Sequence, residues 1–361
     1  MKSLLHRAWP VAVAAVLAIL PFSAVDIPVL FDGPFAQPGT LQLLAMCLIF
    51  AGVVQSYDLQ FGRTGLMSFG HALYFAAGAY PTCVLVRAGW PLWQAAAAAL
   101  CAGTLLAVVL GAIALHTDGI GFAMVTLAFA QAGTLTITLN PAGLTGGDEG
   151  LVLNGPGLPA WLTGVTNTAN LYWLALAYVC AAVAVVWLLM ASPAGRIITG
   201  VRDDTRRVSV LGLNSYVVKL SVFTLSGVLA AAGGIVYVLT TGGVSPHVAS
   251  TAFTLTLLVM VVIGGPGTRW GPVLGAVVYT YLDQRLTAVS GAVSVSPGTP
   301  GWLAGLLSQP LLLLGIVFIL LVYFAPGGLS ALRPRKSFGR TDTTPPGDFQ
   351  KARRRVAKLR R

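Results

Sequence analysis

The sequence predicts an all-α polytopic membrane protein of about ten transmembrane helices, some short or discontinuous, with the N and C termini both cytoplasmic. Three observations carry this. Hydrophobic residues make up 56% of the 361 and charged residues only 9%, against roughly a quarter in soluble domains, so the chain lacks the polar surface to cover a core in water. Apolar runs able to cross about 30 Å of hydrocarbon recur along it. The basic residues between those runs fall overwhelmingly on one side. The spanning elements must be helices, because isolated strands leave backbone groups unpaired in lipid and the alternation of a membrane barrel is absent.

The runs are 8–25, 41–57, 66–86, 91–115, 121–139, 171–190, 217–240, 252–264, 271–286 and 302–324. The first follows Lys2 and Arg7 as a secretory signal would, but it continues to Val25 with no clean small-x-small cleavage site, so it is read as a retained span. Ten spans put both ends on one side. With the N-terminus inside, Lys2, Arg7, Arg63, Arg196, Arg202, Arg206, Arg207, Lys219, Arg269 and the whole tail are cytoplasmic, leaving only Arg87 and Arg285 outside. That is the bias the positive-inside rule requires. Residues 1–332 therefore form the membrane domain, including a cytoplasmic loop at 192–216, and residues 333–361 form a basic cytoplasmic tail expected to be disordered.

The net charge of +11 does not point to nucleic acid, because eleven of the 22 Lys and Arg residues lie in that tail. A basic tail beside a span is a topology signal that can touch anionic membrane lipid. Cys47, Cys83, Cys101 and Cys180 each sit in an apolar run without metal-ligand or CxxC spacing, and are read as small buried hydrophobes.

Two stretches interrupt the runs. Gly62, Gly65 and Gly70, with Ser68 and His71, stand at the entry to the third; Gly264, Gly265 and Gly267 separate the eighth from the ninth. Discontinuous helices point to a translocation path, and glycines also serve ordinary tight turns and close helix packing. Both readings suit these residues. His71 is either a path residue or a group that holds the helix break by bonding its backbone.

The carboxylates separate transport classes. An ion-coupled carrier places an acid within a span. Here Glu149, the only glutamate, lies with Asp148 in a polar stretch outside, Asp58 ends the second run, and Asp283 lies near the outer end of its run beside Arg285. The chain has no GxxxxGK[ST] phosphate loop, so energy comes from a partner or transport is passive. An intramembrane enzyme would need a nucleophile and base, or metal ligands, at matching depth; no HExxH, GxSxG or paired membrane carboxylates occur.

A partner could act on Ser192–Asn214. Asp203 and Asp204 followed by Arg206 and Arg207 suit one short helix aligned with its dipole. Val201, Val208 and Leu211 give it an apolar side, and Gly212 a stop. Such a helix fits a groove in another protein, although a solvated loop whose arginines only fix topology has the same composition.

This segment, Gly195–Asn214 followed by Lys219-Leu220-Ser221-Val222-Phe223-Thr224-Leu225-Ser226-Gly227, resembles a motif of the M-type permeases of branched-chain amino acid ABC importers and their urea-importing relatives. Gly62–Tyr80, Leu144–Leu151, Ser245-Pro246 and Val261–Ala276 resemble further motifs of the same family, in family order. The resemblance implies that Arg202–Leu211 is the coupling helix, with Gly195, Arg202, Asp203, Asp204, Arg206, Val208 and Gly212 at the ATPase contact. Val201 stands where the family has isoleucine, and Val208 where it has alanine. The resemblance further implies a second permease of similar fold, two ABC ATPase subunits that hold ATP and Mg, and an extracytoplasmic solute-binding protein. It implies no cofactor on this chain and a place in the bacterial cytoplasmic membrane. Thr145, Gly146, Gly147, Asp148 and Glu149 would meet the binding protein, although an exposed structural loop would look the same. The expected cargo is branched-chain or other hydrophobic amino acids, with urea or short amides as the rival; a passive channel or secondary carrier is the alternative of another class.

Overall fold

A computed structural model describes residues 13–22, 37–162, 167–295, 309–324 and 327–332. The tail 333–361 and the expected retention of the segment after Phe22 lie outside these residues. Within them, each of the ten apolar runs falls on a helix. These are α1 (Val13–Phe22), α2 (Pro38–Asp58), α3 (His71–Arg87), α4 (Leu92–Ala114), α5 (Ile120–Thr138) and α6 (Thr168–Ala191). Two short helices follow, α7 (Pro193–Asp203) and α8 (Thr205–Val210), and then α9 (Ser215–Thr241), α10 (Thr251–Gly264), α11 (Gly271–Val295) and α12 (Pro310–Phe324). Five of the described helices are long and apolar enough to cross a membrane: α2 with a π-helical extension to Arg63, α4, α5, α6 and α9.

Local chemistry sets the ends. Asn214 caps α9, its Oδ1 accepting from Tyr216 N at 3.0 Å, and Gly242 ends it at a φ of 71°, where a side chain would be strained. Ser250 Oγ caps α10 by accepting from Phe253 N at 3.2 Å. Past those caps the chain forms a small antiparallel pair at the same end of the bundle, β1 (Leu151–Val152) against β2 (Gly243–Val244), with Leu151 opposite Val244.

α2 and α9 are the enclosed helices, with 67% of the apolar window of each buried, against 22% for α4, 28% for α5 and 33% for α6. Around that centre α3 and α4 pack on α9, and α6, α10 and α11 on α2. Association in lipid relies on close packing of small residues, since tails are as apolar as leucine. α4 shows this plainly: Ala95, Ala99, Gly103, Ala107 and Gly111, every fourth residue, are buried. Where α3 crosses α9, a Cβ on Gly234 would strike the Phe75 carbonyl, so only glycine permits that approach. The cysteines divide: Cys47 and Cys83 are buried as expected, but Cys101 and Cys180 are exposed. An apolar neighbourhood in sequence does not distinguish a core-facing position on α4 or α6 from a lipid-facing one.

Candidate functional site

The two glycine-rich interruptions and the charged loop, distant in sequence, meet at the end of the bundle opposite β1 and β2. Asp58, fully buried, is the centre of this meeting point. Its Oδ2 pairs with Arg63 Nε at 3.2 Å, and its Oδ1 accepts from Gly267 N at 2.7 Å. Arg63, 8% exposed, also donates to Thr268 O at 3.0 Å. Arg202, on α7, donates through a terminal guanidinium nitrogen to Gly62 O. Gly62 is obligatory here, because a Cβ would collide with Asp58 Oδ1 and Gly267 N. Gly265 and Gly267 turn with φ of 103° and 74°. One polar joint thus ties the end of α2, the α10–α11 turn and α7. A buried pair of this kind is stable only when its remaining donors and acceptors are satisfied, and the turn's own backbone supplies them.

The interruption before α3 is buried in protein. Ser68 and His71 are fully buried, Gly70 is buried, and Gly65 is exposed. Its backbone is satisfied by side chains from distant helices, as non-helical backbone at membrane depth requires. Phe69 N donates to Thr126 Oγ1 of α5 at 3.1 Å, Ala72 N to Thr254 Oγ1 of α10 at 3.0 Å, and Tyr57 Oη of α2 to Ser68 O at 2.9 Å. His71 does not bond the backbone of the break. Its Nε2 lies 3.0 Å from Ser56 Oγ, and Ser56 Oγ already donates to Val53 O at 2.6 Å. A hydroxyl has one proton to give, so His71 Nε2–H donates to Ser56, and its buried Nδ1 has no partner among the described residues. Ser226 Oγ of α9 in turn donates to Ser56 O. The ring sits 5.0 Å from that of Tyr57. His71 therefore joins α3 to the central pair α2 and α9.

The expected single helix at 202–211 is two helices broken at Asp204. That residue is extended (φ −160°, ψ 102°) and caps α8, its Oδ1 accepting from Arg206 N at 2.9 Å and Arg207 N at 3.2 Å. An aspartate offers more to orphan donors at a helix start than within a turn, so the second of the adjacent carboxylates ends α7 and starts α8. Gly212 stops α8 at a φ of 82°. Val201 and Val208 face inward at 2% and 5% exposure, and Gly195 is buried where a Cβ would strike the Met190 backbone. Asp203, Arg206 and Arg207 are exposed. At the tip stand Val210 and Leu211, 88% and 77% exposed.

At the opposite end, Asn140 adopts a left-handed conformation (φ 49°) and its Oδ1 accepts from Thr145 N at 2.8 Å and Gly146 N at 3.1 Å. Thr145, Gly146 and Gly147 thus build a turn, with Gly146 and Gly147 at positive φ, and it holds Asp148 and Glu149 out as exposed carboxylates.

Sequence reasoning assigned Asp58 and Arg63 only to topology, and passed over Thr126, Thr254 and Gln131. Gln131 lies eleven residues into α5, exposed beside Ala128, Ala132 and Thr136, and its Nε2 donates to Thr251 Oγ1 of α10 at 3.1 Å. An exposed glutamine within an apolar helix is costly against lipid, and a glutamine amid an apolar run was the available signal.

The family model described as branched-chain amino acid transport system, permease component, matches residues 39–322. The high-affinity branched-chain amino acid transport system permease protein LivM of Salmonella typhimurium is 28% identical over 262 residues, 66% of this chain and 61% of the relative. The chain therefore matches somewhat under two thirds of that protein's length. A probable branched-chain amino acid transport permease protein LivM of Methanocaldococcus jannaschii is 22% identical over 82% of this chain and 95% of its own length. The autoinducer 2 import system permease protein LsrC of Salmonella paratyphi B is 27% identical over 70% of this chain and 69% of its own. No solved structure matches the chain at a significant level.

Proposed function

Because this chain belongs to the branched-chain amino acid transport system permease family, we propose that it is the transmembrane subunit of an ATP-driven importer, passing branched-chain or other hydrophobic amino acids handed over by a solute-binding protein. It is a transport subunit rather than an enzyme, and a multi-pass protein of the bacterial cytoplasmic membrane. In this reading the chain spans the membrane ten times with both termini in the cytoplasm, and the α7–α8 end faces inward.

The observation that carries the proposal is the α7–α8 hairpin. It presents Val210 and Leu211 with Arg206 and Arg207 to the outside, while Arg202 at its base is bonded to the end of α2. A protruding apolar tip rimmed by cations suits a groove on an ATPase subunit. Arg202 would pass the groove's movement to Gly62 and, through Asp58, to the α10–α11 turn. The ATPases bias the permease only if they hold the hairpin more tightly in one of its states. ATP and Mg belong to those two partners. The exposed α5 face around Gln131 is the proposed contact with a second permease of similar fold, where a path between the two would run. Asp148 and Glu149 are the proposed contact for the binding protein.

A second cargo reading draws on the relationship to LsrC: a small polar solute of the autoinducer 2 kind. Urea stands beside it as the rival noted from the motifs. Proteoliposomes holding this chain with the subunits that co-purify with it, charged with ATP and supplied with the binding protein, test these readings together. Uptake of labelled leucine or valine that stops without ATP is expected. Uptake of urea or autoinducer 2 in preference to either would replace the cargo, and leucine flux without ATP would replace the importer with a passive carrier.

A further inference from the structure

The outer surface of the α6–α11 face carries a groove that none of the proposed transport roles uses. It lies between α1, α2, α6 and α11, encloses about 360 Å³, and is lined by apolar groups including Leu17, Leu48, Val179, Val183 and Val273. Trp187 of α6 and Trp270 line its mouth, at the end where α6 leads into α7. Arg269, exposed, lies with its guanidinium 5.4 Å from the centroid of the Trp187 ring. It makes no ion pair among the described residues.

We propose that this groove binds one anionic phospholipid, with an acyl chain along the groove and the phosphate on Arg269. The groove's length and the chemistry at its mouth favour that occupant. From Trp187 to Leu176 the lining of α6 runs eleven residues, roughly 16 Å at 1.5 Å per residue. That is about half of a 30 Å hydrocarbon core, one leaflet deep. A half-open apolar groove of that length suits one extended acyl chain. At its mouth, two indole rings and a cation reproduce the chemistry of the membrane interface, where tryptophan sits at headgroup level and a basic side chain attracts anionic lipid. A guanidinium beside an indole face keeps its N–H donors available to pair with a phosphate.

The test is native mass spectrometry of the full-length chain purified in mild detergent and titrated with phosphatidylglycerol or phosphatidylcholine. Wild type is expected to hold one phosphatidylglycerol at least about tenfold more tightly than phosphatidylcholine. Arg269→Gln should lose the preference and keep weak binding of both. Val183→Trp, which fills the groove, should lose the tight site altogether. Arg87→Gln, a cation at the other end of the bundle, should change nothing. Equal affinity for both lipids in wild type, or an unchanged preference in Arg269→Gln, would overturn the proposal. So would a wild-type chain that takes up lipid at this site only after deletion of residues 1–12, since the groove would then belong to the chain's own N-terminus.

Discussion

Replacing Asp58 by alanine strands two groups at once. Arg63 keeps only the Thr268 carbonyl, and Gly267 N loses its acceptor. Asp58 is fully buried and Arg63 is 8% exposed, so water does not readily take over the carboxylate's place beside Arg63. Breaking a buried ion pair from one side costs about 3–5 kcal/mol, which in a chain of this length lowers an unfolding midpoint by about 4–7 °C. Removing both charges is a different perturbation, since an apolar pair of similar volume is often neutral. The double variant Asp58→Leu, Arg63→Met should therefore recover most of the loss. Intrinsic-fluorescence melting in one detergent, for wild type, Asp58→Leu, Arg63→Met and the double variant, measures the coupling, with Asp58→Ala run beside them. An Asp58→Ala protein that melts with wild type, or a double variant that melts no higher than Asp58→Ala, would refute the reasoning.

Further expectations follow from single contacts. Thr254→Val leaves Ala72 N without its acceptor at the start of α3 and should cost about 1–3 kcal/mol in the same melting assay. Gly234→Ala drives a methyl into the Phe75 carbonyl and should destabilise by about 1–3 kcal/mol, seen as lower folded yield and an earlier melt. Asp204→Ala removes the α8 cap, worth about 0.5–2 kcal/mol locally. Because α8 protrudes, ATPase recovery should fall while the melting midpoint of the bundle stays within error.

The ten helices were legible because apolar runs bounded by Gly, Pro and caps declare themselves locally; Asn214, Ser250 and Gly242 end their helices on their own chemistry. Gly212 likewise stopped α8 where the sequence said it would. The break at Asp204 was not legible, since adjacent aspartates suit a first turn and a cap equally, and only the folded chain shows which orphan amides are near. The partners of the α3 entry come from Thr126 and Thr254, on helices far along the chain, and no local pattern announces them. Asp58 and Arg63 stand five apart across a π-helical turn, outside the i, i+3 and i, i+4 spacings that suggest a helical pair. The sequence leaves His71 as either a path residue or a group bonding the helix break; its partner Ser56 lies on the neighbouring helix α2, so its role emerges only from the packing of α2 against α3.

The most direct test of the importer account is affinity purification of the tagged full-length chain beside a variant carrying Val210→Asp and Leu211→Asp, followed by mass spectrometry. These two positions are exposed at the hairpin tip, so the variant should fold as wild type does, whereas changes at Arg202 would also disturb the joint with Gly62. The account predicts that wild type brings down an ATPase and a second permease, and that the variant keeps the permease and loses the ATPase. A wild-type chain that comes down alone, or an ATPase that still accompanies the variant, would contradict it.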